Sequence, residues 1–199
     1  MINSNDPPGY GWSEIRAWRK AQREALIARR MARTAEERRR LSGSIIAWLR
    51  AALDPVRYPV LGLYWPIRGE IDAREIAHRH VEAGGIVGLP VVVQDAAPVE
   101  FWRWRPGVAL KRGHWNIPVP PERDLVRPDV LVVPLVGYDA NRYRLGYGGG
   151  FYDRTLAAAS PRPHTIGVAF ADAELPSIHP QPHDIPMDVI VTERSAYGA

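Results

Sequence analysis

The chain has 199 residues, 46% of them hydrophobic and 24% charged, with a net charge of +4 and no cysteine. With a mean hydropathy of −0.25, this composition excludes disordered, collagenous and fibrous classes, and roughly 70% of the unfolded surface can be buried in one ordinary core. The missing thiols exclude disulfide frameworks, thiolate catalysis and thiolate metal sites, and no apolar run approaches the roughly eighteen residues of a membrane helix.

Residues 1–13, with Pro7, Pro8 and Gly9 and no apolar periodicity, read as an N-terminal arm, and residues 14–199 as a single α/β domain. The opening residues lack the basic and apolar regions of a secretory signal, so the expected location is the cytoplasm. From Glu14 to about Arg33, Ile15, Trp18, Ala21 and Ala25 recur at helical spacing and predict a basic helix with a modest apolar stripe. The segment 14–50 carries +7 and leaves −3 for the rest, which suits a polyanion or, more blandly, a solvated helical face. Thr34 to Glu37 has the form of a capping box, and Leu41, Ile45, Trp48, Leu49 and Ala52 mark the buried face of a second helix.

After Pro55, short runs of Val, Ile and Leu predict strands at 60–64, 86–93, 99–104, 130–133, 165–170 and 188–191. A helix over 72–83 fits between the first two, with Asp72 and Glu75 at its start and Gly84 as its stop. Together these predict a three-layer α/β/α architecture with a mostly parallel central sheet preceded by N-terminal helices. The Pro-dense stretch 176–186 is expected to be irregular.

The run Arg144-Leu-Gly-Tyr-Gly-Gly-Gly-Phe-Tyr-Asp-Arg154 follows a predicted strand and precedes a small-residue helix candidate at 155–159. Glycines there let backbone N–H groups approach phosphate oxygens, and a helix start favours negative charge. The spacing matches neither G-x-G-x-x-G nor a P-loop, so on glycine alone a bulged hairpin or tight turn fits as well. Arg144 could pair with phosphate through its planar fork. Asp153 could hold a magnesium ion or simply cap the helix. His78 and His80 have the wrong spacing for a one-face metal site, and His183 beside Asp184 is read as structural, since no Ser motif accompanies it.

This run closely resembles the signature of the 5-formyltetrahydrofolate cyclo-ligases, also called 5,10-methenyltetrahydrofolate synthetases. Matches in order along residues 14–195 add to it: Thr34 to Arg38, Glu70-Ile-Asp72, Trp115-Asn-Ile-Pro118, Pro134 to Asp139, and His183-Asp184 with Met187-Asp188. The resemblance implies an α/β/α fold and an ATP- and Mg²⁺-dependent conversion of 5-formyltetrahydrofolate to 5,10-methenyltetrahydrofolate. It implies that ATP lies along Arg144, Leu145, Gly146, Tyr147, Gly148, Gly149, Gly150, Phe151 and Tyr152, with Tyr147 to Phe151 also bordering the folate. Asp153 and Asp188 would be the magnesium carboxylates, and Arg144, Tyr152 and Asp153 the catalytic set. Glu70 would engage the pterin, and Trp65 and Trp115 would wall the folate.

The family's ATP-contacting lysine falls at Arg19, with Lys20 beside it, and its following arginine at Arg23. Gly149 stands where some members carry a basic residue. The implied partners are small molecules, reduced folate and ATP, acting on a monomer or weak homodimer with no membrane. Two other readings compete: a non-catalytic or substrate-diverged paralogue, and a nucleic-acid-binding protein using the basic helix. Only Trp18 and Trp48 interleave aromatics in that helix pair, which argues against nucleic acid.

Overall fold

The computed structural model of the chain describes residues 11–198, so the expected arm lies outside the described residues except at its end, where Trp12 and Ser13 already belong to the first helix. The helices are α1 (Trp12–Ala32), α2 (Ala35–Ala52), α3 (Arg74–Glu82) and α4 (Phe151–Ala158). The strands are β1 (Val60–Gly62), β2 (Ile86–Val91), β3 (Glu100–Trp104), β4 (Lys111–Arg112), β5 (Pro118–Val119), β6 (Leu125–Val126) and β7 (Val130–Pro134). They continue with β8 (Gly137–Asp139), β9 (Arg144–Leu145), β10 (His164–Val168), β11 (Glu174–Leu175), β12 (Val189–Val191) and β13 (Ala196–Gly198). No helix among the described residues is long and apolar enough to cross a membrane.

The main sheet runs in the order β13-β12-β10-β7-β1-β2-β3-β6. Its centre, β12 to β2, is parallel, and its margins β13, β3 and β6 are antiparallel. The apolar runs are continuous because both faces are covered. Val130 and Val132 of β7 pack in one core with Ile45 and Leu49 of α2 and Ile76 of α3, whereas Leu131 and Val133 pack in another with Leu26 of α1 and Leu156 of α4. These are the three layers. Because the central strands are parallel, the loops after β1, β2, β7 and β10 all leave from one edge, where open α/β sheets place their ligands.

The capping box of α2 forms as its sequence predicts, with Glu37 N–H donating to Thr34 Oγ1 at 3.1 Å and Thr34 N–H to Glu37 Oε2 at 2.8 Å. The stripe expected on α1 is different. Its buried residues are Ile15, Arg19, Leu26 and Arg30, and Ala21 and Ala25 are exposed. Buried arginines occupy positions where periodicity looks for apolar side chains, so the packed face is invisible to a hydrophobic pattern. The very short strands β4, β5, β8, β9 and β11 also have no sequence signature, and α4 starts at Phe151 rather than at 155.

Gly62, the last residue of β1, packs so closely that a Cβ would collide with Leu131 Cδ2 and lie 3.0 Å from Pro128 Cγ. Gly62→Ala is therefore expected to cost about 1–3 kcal/mol of stability by overpacking, read from the urea midpoint at unchanged m-value. A variant as stable as the wild type would show that this layer has slack.

Candidate active site

The glycine run becomes a turn-to-helix junction at the ligand edge of the sheet. Arg144 and Leu145 pair as β9 with β8, Gly146 to Gly150 form the turn, and Phe151 opens α4. Gly148 at φ +97° and Gly150 at φ +63° use backbone space that L side chains rarely enter. At Gly149 the constraint is packing, since a Cβ would stand 2.7 Å from the Phe151 ring and 3.3 Å from Trp115. Asp153 is not the helix cap: its Oδ1 accepts from Arg144 Nη2 at 2.5 Å and from Ile185 N–H at 3.0 Å. The Arg144 fork is thus turned onto Asp153 and the Ile185 carbonyl, at 2.6 Å, rather than left open. Burial pushes the Arg144 guanidinium below its usual value, with Asp153 opposing.

The α1 arginines clamp the loops around this turn. Arg19 donates through Nε to the carbonyl of Ile178 at 2.9 Å and through Nη2 to the carbonyl of His179 at 2.8 Å and to Asp184 Oδ2 at 2.6 Å. Arg23 donates to the Gly146 carbonyl at 2.7 Å. Burial, then repulsion from Arg19, lowers its pKa, with Asp184 in opposition. Lys20 is exposed, lines the cavity and has no hydrogen-bond or ion-pair partner among the described residues. Arg19 lines the cavity too, with its Nε and Nη2 taken up by the loops.

At the other side of the turn, Glu70 is 8% exposed. Its Oε2 accepts from Ile67 N–H at 2.9 Å and its Oε1 from the Tyr147 hydroxyl at 2.8 Å, and that hydroxyl accepts in turn from Arg30 at 2.6 Å. Burial pushes the Glu70 carboxyl above the usual carboxylate range, partly offset by the Ile67 N–H, Arg30, Tyr147 and Arg68. Burial, then Glu70, raises the Tyr147 and Tyr152 hydroxyls well above their ordinary values, so both stay protonated and can donate.

These groups share one cavity of about 610 Å³. Its lining joins Lys20 and Arg23 of α1, Trp65 and Glu70 after β1, His114 and Trp115 between β4 and β5, the whole run 144–153, and His183 and Asp184. Trp115, at φ +52° and 60% exposed, meets Phe151 edge-on at 5.7 Å. Trp65 sits under the Arg74 guanidinium at 5.3 Å. His183 is exposed, with Nε2 3.9 Å from Asp184 Oδ1, too long for a hydrogen-bonded dyad.

One expected residue is not brought here. Asp188 precedes β12, and its Oδ2 accepts from Thr165 N–H at 2.8 Å and from Thr165 Oγ1 at 2.7 Å, at the start of β10. In a parallel pair, strand starts lie at the edge opposite the ligand edge, so Asp188 cannot join Asp153. The Thr165 hydrogen bonds and Arg162 hold its carboxyl below the usual range despite the cost of burial. The carboxylate that does face Asp153's cavity is Asp184. In the sequence it stood beside His183 in the irregular 176–186 stretch and within the His183-Asp184 match to the family, with no metal role attached. Arg16, Trp12 and Tyr64 also line the cavity without having been singled out.

A family model described as the 5-formyltetrahydrofolate cyclo-ligase family matches residues 15–193. A 5-formyltetrahydrofolate cyclo-ligase of Mycolicibacterium smegmatis is 35% identical over 139 residues, 66% of this chain and 72% of that protein. The one from Escherichia coli K12 is 29% identical over 171 residues, 82% of this chain and 94% of that protein. The solved structure of 5,10-methenyltetrahydrofolate synthetase from Aquifex aeolicus superposes with a TM-score of 0.78 at 30% identity, covering 89% of this chain and 91% of that one.

The backbone demand at Gly148 gives a direct test of the turn. Gly148→Ala is expected to lose about 1–2 kcal/mol in thermal or urea unfolding through left-handed strain and to weaken ATP binding measured by calorimetry. Unchanged stability and affinity would mean that the turn relaxes freely and does not hold a set of N–H groups in place.

Proposed function

The chain belongs to the 5-formyltetrahydrofolate cyclo-ligase family and is a ligase acting on 5-formyltetrahydrofolate, and from that premise we propose a two-step reaction driven by ATP. The formyl oxygen attacks the γ-phosphorus and ADP leaves. N10 then attacks the activated formyl carbon, forming the new C–N bond and losing its proton. Inorganic phosphate departs with the former formyl oxygen, leaving 5,10-methenyltetrahydrofolate. The observation that carries this reading is the single cavity that joins a glycine turn at a helix start, basic groups and a buried, hydrogen-bonded glutamate.

The folate ring edge is read as lying against Glu70, since a carboxylate accepts two hydrogen bonds from an aminopyrimidinone. Trp65, Trp115 and Phe151 offer flat apolar walls for the ring system. The backbone N–H groups from Gly148 to Phe151 sit where a helix start favours phosphate oxygens, and Lys20 supplies a mobile positive charge beside them. Tyr152, protonated and half-buried, can donate to oxygen that gains charge during transfer. Arg144 acts through Asp153, whose carboxylate it orients.

The donor set fits a magnesium ion held by two carboxylates. Asp153 Oδ1 and Asp184 Oδ2 are engaged, whereas the other oxygen of each accepts no hydrogen bond among the described residues. With two carboxylates from the protein, such an ion would keep waters and take phosphate oxygens as its other ligands. Asp153 and Asp184 would hold it, and when bound it would neutralise charge on the phosphates being transferred.

The test is the near-ultraviolet absorbance of the methenyl product from purified protein, 5-formyltetrahydrofolate, ATP and Mg²⁺. Product is expected only with ATP present, and EDTA should suppress it. Asp153→Asn and Asp184→Asn are expected to lower kcat about a hundredfold or more, with Asp188→Asn close to wild type. No ATP-dependent product would sink the reaction assignment, and a folded Asp188→Asn as damaged as Asp184→Asn would sink the choice of carboxylates.

A further inference from the structure

We propose that Arg30 is a positioning residue for the folate end of the site: by filling the acceptor side of the Tyr147 hydroxyl, it directs that hydroxyl's proton onto Glu70 and leaves the glutamate's remaining acceptor capacity facing the cavity. The inference rests on the ligase reading above and adds a residue that does not line the cavity at all.

The geometry leaves one arrangement of protons. A guanidinium only donates, and a phenol has a single proton. Arg30 Nη2 lies 2.6 Å from the Tyr147 oxygen, so that oxygen is the acceptor, and its proton must go elsewhere. The polar atom in reach is Glu70 Oε1 at 2.8 Å. Arg30 itself stands 4.0 Å from the same oxygen, too far to replace the phenol but close enough to favour a carboxylate. With Ile67 N–H on Oε2, each oxygen is satisfied once from the protein side and keeps one lone pair for a ligand.

Arg30 is held as firmly as the groups it orders. Its side chain is 8% exposed, and it also donates to the carbonyls of Arg68 at 3.0 Å and Leu135 at 3.3 Å, which follow β1 and β7. The guanidinium carbons of Arg30 and Arg68 lie 6.0 and 5.7 Å from the Tyr147 ring centroid, which restricts the ring. The charged and titratable groups acting on Glu70 are Arg30 from α1, Arg68 from its own turn, Tyr147 from the glycine turn, Tyr64 after β1 and Tyr152 of α4. Removing Arg30 takes away positive charge and frees the phenol to turn, and both changes make Glu70 easier to protonate. The acid limb of folate-dependent turnover then moves to higher pH.

The test compares Arg30→Met, Arg30→Lys, Tyr147→Phe and the double variant Arg30→Met/Tyr147→Phe, scored by KM for each substrate and by the pH profile of kcat/KM for 5-formyltetrahydrofolate. Arg30→Met should raise the folate KM about tenfold, with the ATP KM held within about twofold. Its acid limb should move up in pH, and Arg30→Lys, which still donates, should recover part of the shift. In the Tyr147→Phe background, Arg30→Met should change the folate KM by less than about twofold, because both changes break the same chain of hydrogen bonds. A wild type that turns over, with an Arg30→Met variant keeping its folate KM and acid limb, overturns the role of Arg30 alone; a wild type without ATP-dependent turnover overturns the reaction assignment instead. Should Arg30→Met not fold, Tyr147→Phe, which spares the Arg68 and Leu135 bonds, still decides: an unmoved acid limb and folate KM overturn the proposal.

Discussion

A guanidinium taken out of water must find acceptors that stay in place, and this requirement on one face of α1 organises the site. Arg19, Arg23 and Arg30 donate to the carbonyls of Ile178, His179, Gly146, Arg68 and Leu135, which belong to the loops around the ligand edge. Removing an arginine from such a set leaves its carbonyl acceptors buried without a donor, at about 1–3 kcal/mol for each. The helix therefore cannot settle without the loops, nor the loops without the helix. That mutual need is a stronger constraint than the hydrophobic contact of Ile15 and Leu26 on the same face.

The same logic extends to residues that never approach a ligand. Asp139 is fully buried, with Oδ1 accepting from the N–H groups of Asn141 and Tyr143 and Oδ2 from Ile178 N–H. It ties the turn between β8 and β9 to the Pro-rich segment whose carbonyls receive Arg19. Farther along, Ile185 holds Arg144 and Asp153, Met187 exchanges hydrogen bonds with Arg142, and Asp188 fixes the chain to Thr165. A stretch with no regular structure is thereby pinned residue by residue. Asp184 and Asp188, close in sequence, end up at different edges of the sheet.

How much of this was legible in the sequence follows from what each signal measures. The capping box and apolar face of α2, and the continuous run of β7, are dense local patterns, and they gave the layers and the parallel centre. The glycine run was legible because only glycine tolerates the backbone at Gly148 and Gly150. Glu70, Trp65 and Trp115, which only the resemblance singled out, line the cavity. By contrast, Arg19 and Arg30 look like members of a solvated basic face, since no periodicity separates an exposed arginine from one aimed inward. In the three-stranded sheet, β8 and β9 are a local pair too short to show a period of two, and β11 joins β8 from far along the chain, so neither leaves a trace in a sequence window. Preferring Asp184 to Asp188 needed the direction of β12, which is a property of the sheet and not of the motif.

The arrangement also bears on how two substrates are brought into line. Phosphoryl transfer depends on placing the formyl oxygen opposite the leaving ADP, and small displacements are costly because little covalent chemistry by the protein compensates for them. Here α1 reaches the turn at Gly146 through Arg23, the carboxylate Asp184 through Arg19, and the Tyr147–Glu70 pair through Arg30. The groups proposed for the phosphates and those proposed for the folate ring are thus referred to one rigid helix instead of to separate loops. Their spacing is then set by the rise of that helix and by its seating against β7 of the main sheet and β9 of the small one. A change anywhere along its buried arginine face shifts one end of the site relative to the other, even where the cavity lining itself is untouched.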